Sequence, residues 1–336
     1  MNKKQRRFGW VVSILGVSIF LLFLFSLNMG VVNIAPMEVI RTLLGSGSST
    51  QEMVLFDIRL PRMVLALLIG AGLGVSGAIL QGVSRNDLAD PGILGINTGA
   101  GFAIIVYIFF FQGSMSKLSG LGIYAMPLFA LAGALLAAFL IYLLAWKKGI
   151  NPIRLILVGI GVNSGFSAAL IIFQVKMNPQ DFTQAMVWLA GDIWGGNWDF
   201  VAAVAPWIIL LTVYAMYKAS VLNILNLGDQ ISTGLGAAVE RERRVLLALA
   251  VALAGLCVAA GGGIAFLGLV APHLARRLMG PKHETLIPVT ALIGALILLA
   301  ADTVGKNLIA PAEIPVGIVV TIVSTPYFIY LLMKTH

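Results

Sequence analysis

The chain has 336 residues, 59% of them hydrophobic and 11% charged, whereas a soluble domain carries about a quarter charged residues. No soluble fold of this length hides that much apolar surface, so the composition excludes one and leaves room for about ten helical bilayer crossings of roughly 20 residues each. The net charge of +8 does not point to nucleic acid, because the basic residues fall in short clusters between apolar runs, as topology signals do.

Stretches without Asp, Glu, Lys or Arg run over 8–37, 63–84, 91–116, 118–146, 155–175, 200–217, 245–275, 285–301 and 314–333. Their unbroken length predicts helices and not the short alternating segments of a transmembrane barrel. The first follows Lys3, Lys4, Arg6 and Arg7 and is about twice the length of a secretory signal core, so it predicts an uncleaved helix. The run 245–275 is too long for one crossing and contains Gly261, Gly262 and Gly263. Splitting it gives ten spans with both termini cytoplasmic. Sixteen of the 22 basic residues then lie inside, among them Arg85, Lys147, Lys148, Arg154, Lys218, Arg241, Arg243, Arg244, Arg276, Arg277, Lys282 and Lys334. Arg41, Arg59, Arg62, Lys117, Lys176 and Lys306 stay outside, the bias that the positive-inside rule expects. Two crossings need roughly 40 helical residues, so the eighth span is expected to be short.

Several motifs are decoys. Gly72, Gly74 and Gly77 spell GxGxxG, but within an apolar span and not between a strand and a helix. Gly70 with Gly74, and Gly161 with Gly165, have the spacing of closely packed membrane helices. No GxxxxGK[ST] phosphate loop occurs, so the chain is not itself a P-loop ATPase. His273, His283 and His336 are scattered, Cys257 is the only cysteine, and no nucleophile–base set shares a span, so no metal, cofactor or bond chemistry is expected. Span interiors almost free of ionisable groups disfavour a proton-coupled carrier. Gln81, Asn97, Asn163 and Gln174 are candidate pathway-lining residues, with interhelical hydrogen bonding the alternative.

The longest polar segment between spans, 219–244, alternates apolar Val221, Leu222, Ile224, Leu225 and Leu227 with Gly228, then Ile231, Leu235 and Gly236. Two short amphipathic helices with a turn at Gly228–Asp229 fit this pattern and form a candidate docking surface for a cytoplasmic partner, with contact to lipid headgroups the alternative.

RLPR at 59–62 and GAGLGVSGAILQGVSRNDLADPGILGINTGAG at 70–101 resemble the second and third helices of FecCD-type ABC permeases, importers of iron-siderophores, haem and cobalamin. GGIAFLGLVAPHLAR at 262–276 and AEIPVGIVVTIVSTPYFIYLL at 312–332 resemble that family's last three helices. The resemblance implies an all-α, polytopic type II importer permease of ten helices, a single domain over 1–336. It implies a second permease subunit, two cytoplasmic ATPases and an external substrate-binding protein as partners. It implies that Leu222, Leu225, Leu227, Gly228, Leu235 and Gly236 couple to the ATPase. Where the family often reads ADxVxR, this chain reads ADTVGK, which puts Lys306 beside Arg59 and Arg62 as a candidate docking cation for the binding protein. Pro61 is expected to present both arginine forks outward together. The leading expectation is iron(III)-siderophore import, against cobalamin or haem import, an ion-coupled carrier, or a structural membrane subunit.

Overall fold

The computed structural model describes residues 3–30, 34–92, 94–111, 122–147, 152–193 and 196–334; Lys117 and Lys148 lie outside them. Among the described residues there are fourteen helices and no strand. In chain order they are α1 (Lys3–Asn28), α2 (Pro36–Leu43), α3 (Ser49–Ser84), α4 (Ile96–Phe110), α5 (Gly122–Ala145), α6 (Pro152–Lys176) and α7 (Pro179–Leu189). There follow α8 (Trp198–Tyr217), α9 (Ala219–Leu225), α10 (Asp229–Gly234), α11 (Val239–Gly261), α12 (Leu267–Met279), α13 (His283–Asn307) and α14 (Val316–Lys334). Seven of these, α1, α3, α5, α6, α8, α11 and α13, are long and apolar enough to cross a bilayer. The shorter α4 and α14 are also apolar, and with the 13-residue α12 the helices are roughly consistent with the expected ten spans.

α3 is the hub. It carries a π-helical stretch at Met53–Arg59 and packs against α8, α11, α12 and α13. Its glycines allow this: a Cβ at Gly70 would collide with the backbone of Gly294 on α13, and one at Gly77 with that of Gly268 on α12. Gly161 and Gly165 on α6 behave differently. Open space surrounds both, so this second pair is not used for packing within the chain.

The run 245–275 is indeed broken. α11 ends at Gly261, Gly262 takes φ +68°, and residues 262–266 are non-helical before α12 begins. α12 then brings Arg276 back to Gln81 and Asp87 near the end of α3, the same end at which α11 starts. The eighth span has 13 residues, as short as the length of the run requires. α11 starts six residues before the apolar run, because ion pairs satisfy its charged first turns.

Candidate coupling and docking sites

α9 and α10 form one end of the molecule. Leu222 and Leu225 face inward, 0% and 2% exposed, and a Cβ at Gly82 would sit 3.0 Å from Leu222 Cδ2, so α9 rests on the last turn of α3. Ser232 Oγ lies 2.7 Å from Ile224 O and 2.6 Å from Gly228 O, joining α10 to α9 across the turn that Gly228 makes at φ +102°. Polar ties then lead from this pair of helices into the bundle. Asp229 accepts from Arg243 Nη2 of α11 at 2.8 Å and from Arg85, which caps α3 in the left-handed region at φ +50°. Arg85 Nε also donates to Leu225 O at 3.0 Å. Lys218 binds both oxygens of Glu242 on α11 at 3.0 and 2.7 Å. Asn223 donates to both oxygens of Glu284 on α13 at 2.8 Å, while its Oδ1 accepts from the His283 backbone N–H at 3.0 Å. His283 Nδ1 lies 2.8 Å from the same Oδ1, and since an amide oxygen only accepts, Nδ1 carries the proton. Burial would raise the Asp229 carboxyl, but hydrogen bonds from Arg243 and Arg85 outweigh it and hold the group below its usual range.

The six residues expected at this surface therefore divide. Leu222 and Leu225 are anchors turned into the bundle, because each short helix has one face on α3 and its neighbours. Leu227 and Leu235, 53% and 62% exposed, point away, and Ile231 joins them. Gly228 and Gly236 shape the turns with positive φ.

At the opposite end Arg59, Arg62 and Lys306 come together around a cavity of about 170 Å³ that Glu313 also lines. The expected outward presentation of the arginine forks is not what the structure shows. Each arginine is only 7% exposed. Arg59 donates to Leu27 O; Arg62 donates to Asp302 Oδ1 at 2.9 Å and to Glu313 Oε2 at 2.7 Å. Lys306 Nζ takes the other Asp302 oxygen at 2.6 Å. The physical reason is Asp302: a fully buried carboxylate is tolerated only when paired, and that need outweighs the small gain of an exposed ion pair. Glu313 was missed in the sequence, and Asp302 was noticed only as a charge near a span end without its partners, although the i,i+4 spacing of Asp302 and Lys306 signals one pair.

The candidate pathway residues mostly tie helices together. Gln81 lies 3.4 to 3.5 Å from the carbonyls of Gly268 and Leu269 and receives Arg276, and Asn163 accepts from Thr98 at 2.6 Å. Among the described residues, Gln174 reaches only Met186 Sδ, at 4.0 Å. Asn97 donates to Ile264 O at 3.0 Å, inside the break before α12. That break meets the C-terminal end of α7: Gly263 N–H points to Trp188 O at 3.4 Å, and Gly317 N–H binds Gly191 O at 3.1 Å. Non-helical backbone at membrane depth is tolerated only inside protein or along a cavity, and broken helices are where transporters hold their pathways. Beside it, Gln180, Thr183, Gln184, Trp188 and Asp192 line a cavity of about 600 Å³.

A bundle of apolar spans with interrupted helices inside and a wired pair of short helices at one end is a multi-pass membrane transport subunit. The FecCD transport family matches residues 18–334, and the chain belongs to that family. It is 59% identical over 336 residues, 100% of both chains, to the iron(3+)-hydroxamate import system permease protein FhuG of Bacillus subtilis (strain 168). It is 45% identical to the iron-uptake system permease protein FeuC of the same organism, over 92% of this chain and 93% of that one. A solved metal-chelate type ABC transporter in an inward-facing conformation superposes with a TM-score of 0.83 at 29% identity, covering 97% of this chain and 99% of that one. The chain is thus an ABC transporter permease, a multi-pass transport subunit of the cell membrane.

Proposed function

We propose that this chain is the membrane-spanning subunit of an ATP-driven importer of iron(III)-siderophore chelates, with hydroxamate-type siderophores as cargo. The observation that carries the reading is the 59% identity, over the full length of both chains, to a permease of an iron(3+)-hydroxamate import system. The chain makes and breaks no bonds: a separate ATPase hydrolyses ATP, and the permease converts its closure into alternating access. Leu227, Ile231 and Leu235 are the surface that the ATPase grips, and the ties from Asp229, Asn223 and Lys218 carry its motion to α3, α11 and α13. The α9–α10 end and both termini face the cytoplasm, a reading supported by the basic residues that gather there. At the external end the cavity of Arg59, Arg62 and Lys306 receives a carboxylate of the binding protein in exchange for Glu313. A second permease covers α6, where Gly161 and Gly165 lie open.

The test is uptake by the complete assembly, with its own binding protein and ATPase, in proteoliposomes offered ferric hydroxamate, ferric catecholate, ferric citrate or cobalamin. Ferric hydroxamate should accumulate in preference to the others. Accumulation of cobalamin without any ferric chelate would overturn the cargo.

A further inference from the structure

Between the first turns of α1 and the turn joining α12 to α13 lies a cavity of about 480 Å³ whose lining includes Lys4, Arg7, Arg276, Arg277 and Lys282 and no carboxylate. Arg276 is paired with Asp87, and the Arg277 guanidinium lies 5.9 and 5.6 Å from the ring centres of Tyr327 and Tyr330. Among the described residues, no carboxylate comes within ion-pair distance of Lys4, Arg7, Arg277 or Lys282; Glu284, held by Asn223, acts on Lys282 electrostatically from further away. Cations gathered this closely repel one another, and a bound anion relieves the repulsion.

The location says where the anion comes from. α1 is the least buried of the long spans, 11% of its apolar window, so most of the helix beside the cavity is left uncovered by the rest of the chain and open to lipid. Charge stops at Arg7, and from Phe8 onward α1 is apolar, packing on α12 and α13 through Phe8, Val11, Val12 and Leu15. Cations just above an apolar flank are at headgroup level. Basic pockets between membrane helices take anionic headgroups, each nearby cation contributing about 1 kcal/mol. With Arg276 matched by Asp87 and Lys282 partly offset by Glu284, the three cations Lys4, Arg7 and Arg277 remain, more than the single charge of one phosphodiester balances.

We propose that this cavity binds an anionic phospholipid with two phosphates in one headgroup, of the diphosphatidylglycerol class. Lys4, Arg7 and Lys282 hold the phosphates, and the acyl chains run along the exposed face of α1 at Trp10, Ile14 and Val17. The site depends on the chain being a membrane protein and not on its cargo.

Native mass spectrometry of the purified chain, titrated with diphosphatidylglycerol, phosphatidylglycerol, phosphatidylcholine or inorganic phosphate, tests this. Wild type should retain diphosphatidylglycerol most tightly. A Lys4→Gln, Arg7→Gln, Lys282→Gln variant should bind it about 100-fold more weakly, three cations at about 1 kcal/mol each. A variant with Lys147, Arg241 and Arg244 changed to Gln, at the same end but outside the cavity, should bind as wild type. Equal losses in the two variants, or no preference of wild type for the two-phosphate lipid, would overturn the site. Inorganic phosphate binding as tightly as lipid would make it a soluble-anion site and overturn the lipid assignment. So would unchanged lipid binding in a cavity variant that no longer copurifies with its ATPase, which would give the cavity to that partner.

Discussion

Arg62 satisfies Asp302 and Glu313 at once, and Lys306 completes the carboxylate of Asp302. Removing one member of such a buried set costs about 3–5 kcal/mol, because it leaves charge uncompensated, whereas replacing a pair by apolar groups is often close to neutral. Asp302→Ala should therefore lower the thermal unfolding midpoint in detergent markedly, and Arg62→Met with Asp302→Leu should recover much of the loss. A single variant no less stable than the double would contradict the pairing. Arg59 and Arg62 were legible together because they lie three residues apart at a span end, and Lys306 joined them through the family resemblance at ADTVGK. Their partners were not, since Arg62 and Asp302 are 240 residues apart and only the packing of α13 on α3 brings them together.

At the level of elements, α9 and α10 were visible in the sequence as two amphipathic segments about Gly228. Which leucines face inward was not, because a seven- and a six-residue helix show a stripe without saying which side the rest of the chain occupies. α7 was overlooked although Asn178, Pro179 and Asp181 form a good helix start. An 11-residue helix with polar residues does not stand out among long apolar runs. The Asp229 carboxylate is half exposed and Arg85 one-third exposed, so that pair contributes only about 0.2–1 kcal/mol to stability, and the buried Arg243 keeps Glu240 as a second partner. Their value is mechanical. Asp229→Asn should leave assembly and stability near wild type while reducing ATP-driven uptake, and Leu235→Glu should abolish ATPase copurification. Uptake unchanged in Asp229→Asn would remove the tie from the coupling path. Because the folded Asp229 value is depressed, its contribution is complete above the unfolded value of about 3.9 and is lost only as pH falls through the lower folded one. Coupling through this residue should accordingly show no pH dependence between about pH 5 and 8.

For the whole molecule, the ten-span plan was legible because apolar runs and charge bias agree, and the split at Gly261–Gly263 follows from both. The meeting of α7 with that break was not, since it rests on backbone contacts between Trp188, Gly191, Gly263 and Gly317 that no side-chain pattern records. Topology has its own check: a Lys282→Cys variant, in a chain with Cys257 replaced, should resist an impermeant thiol reagent added outside intact cells. Ready labelling would invert the orientation. The central claim is that the chain moves a ferric chelate only when a partner ATPase drives it. Uptake of radioactive iron as a ferric hydroxamate should be measured in proteoliposomes containing the chain alone, then with its ATPase, and then with ATPase, binding protein and ATP. Accumulation should appear only in the complete, ATP-supplied system, whereas accumulation by the chain alone on a proton or sodium gradient would contradict it.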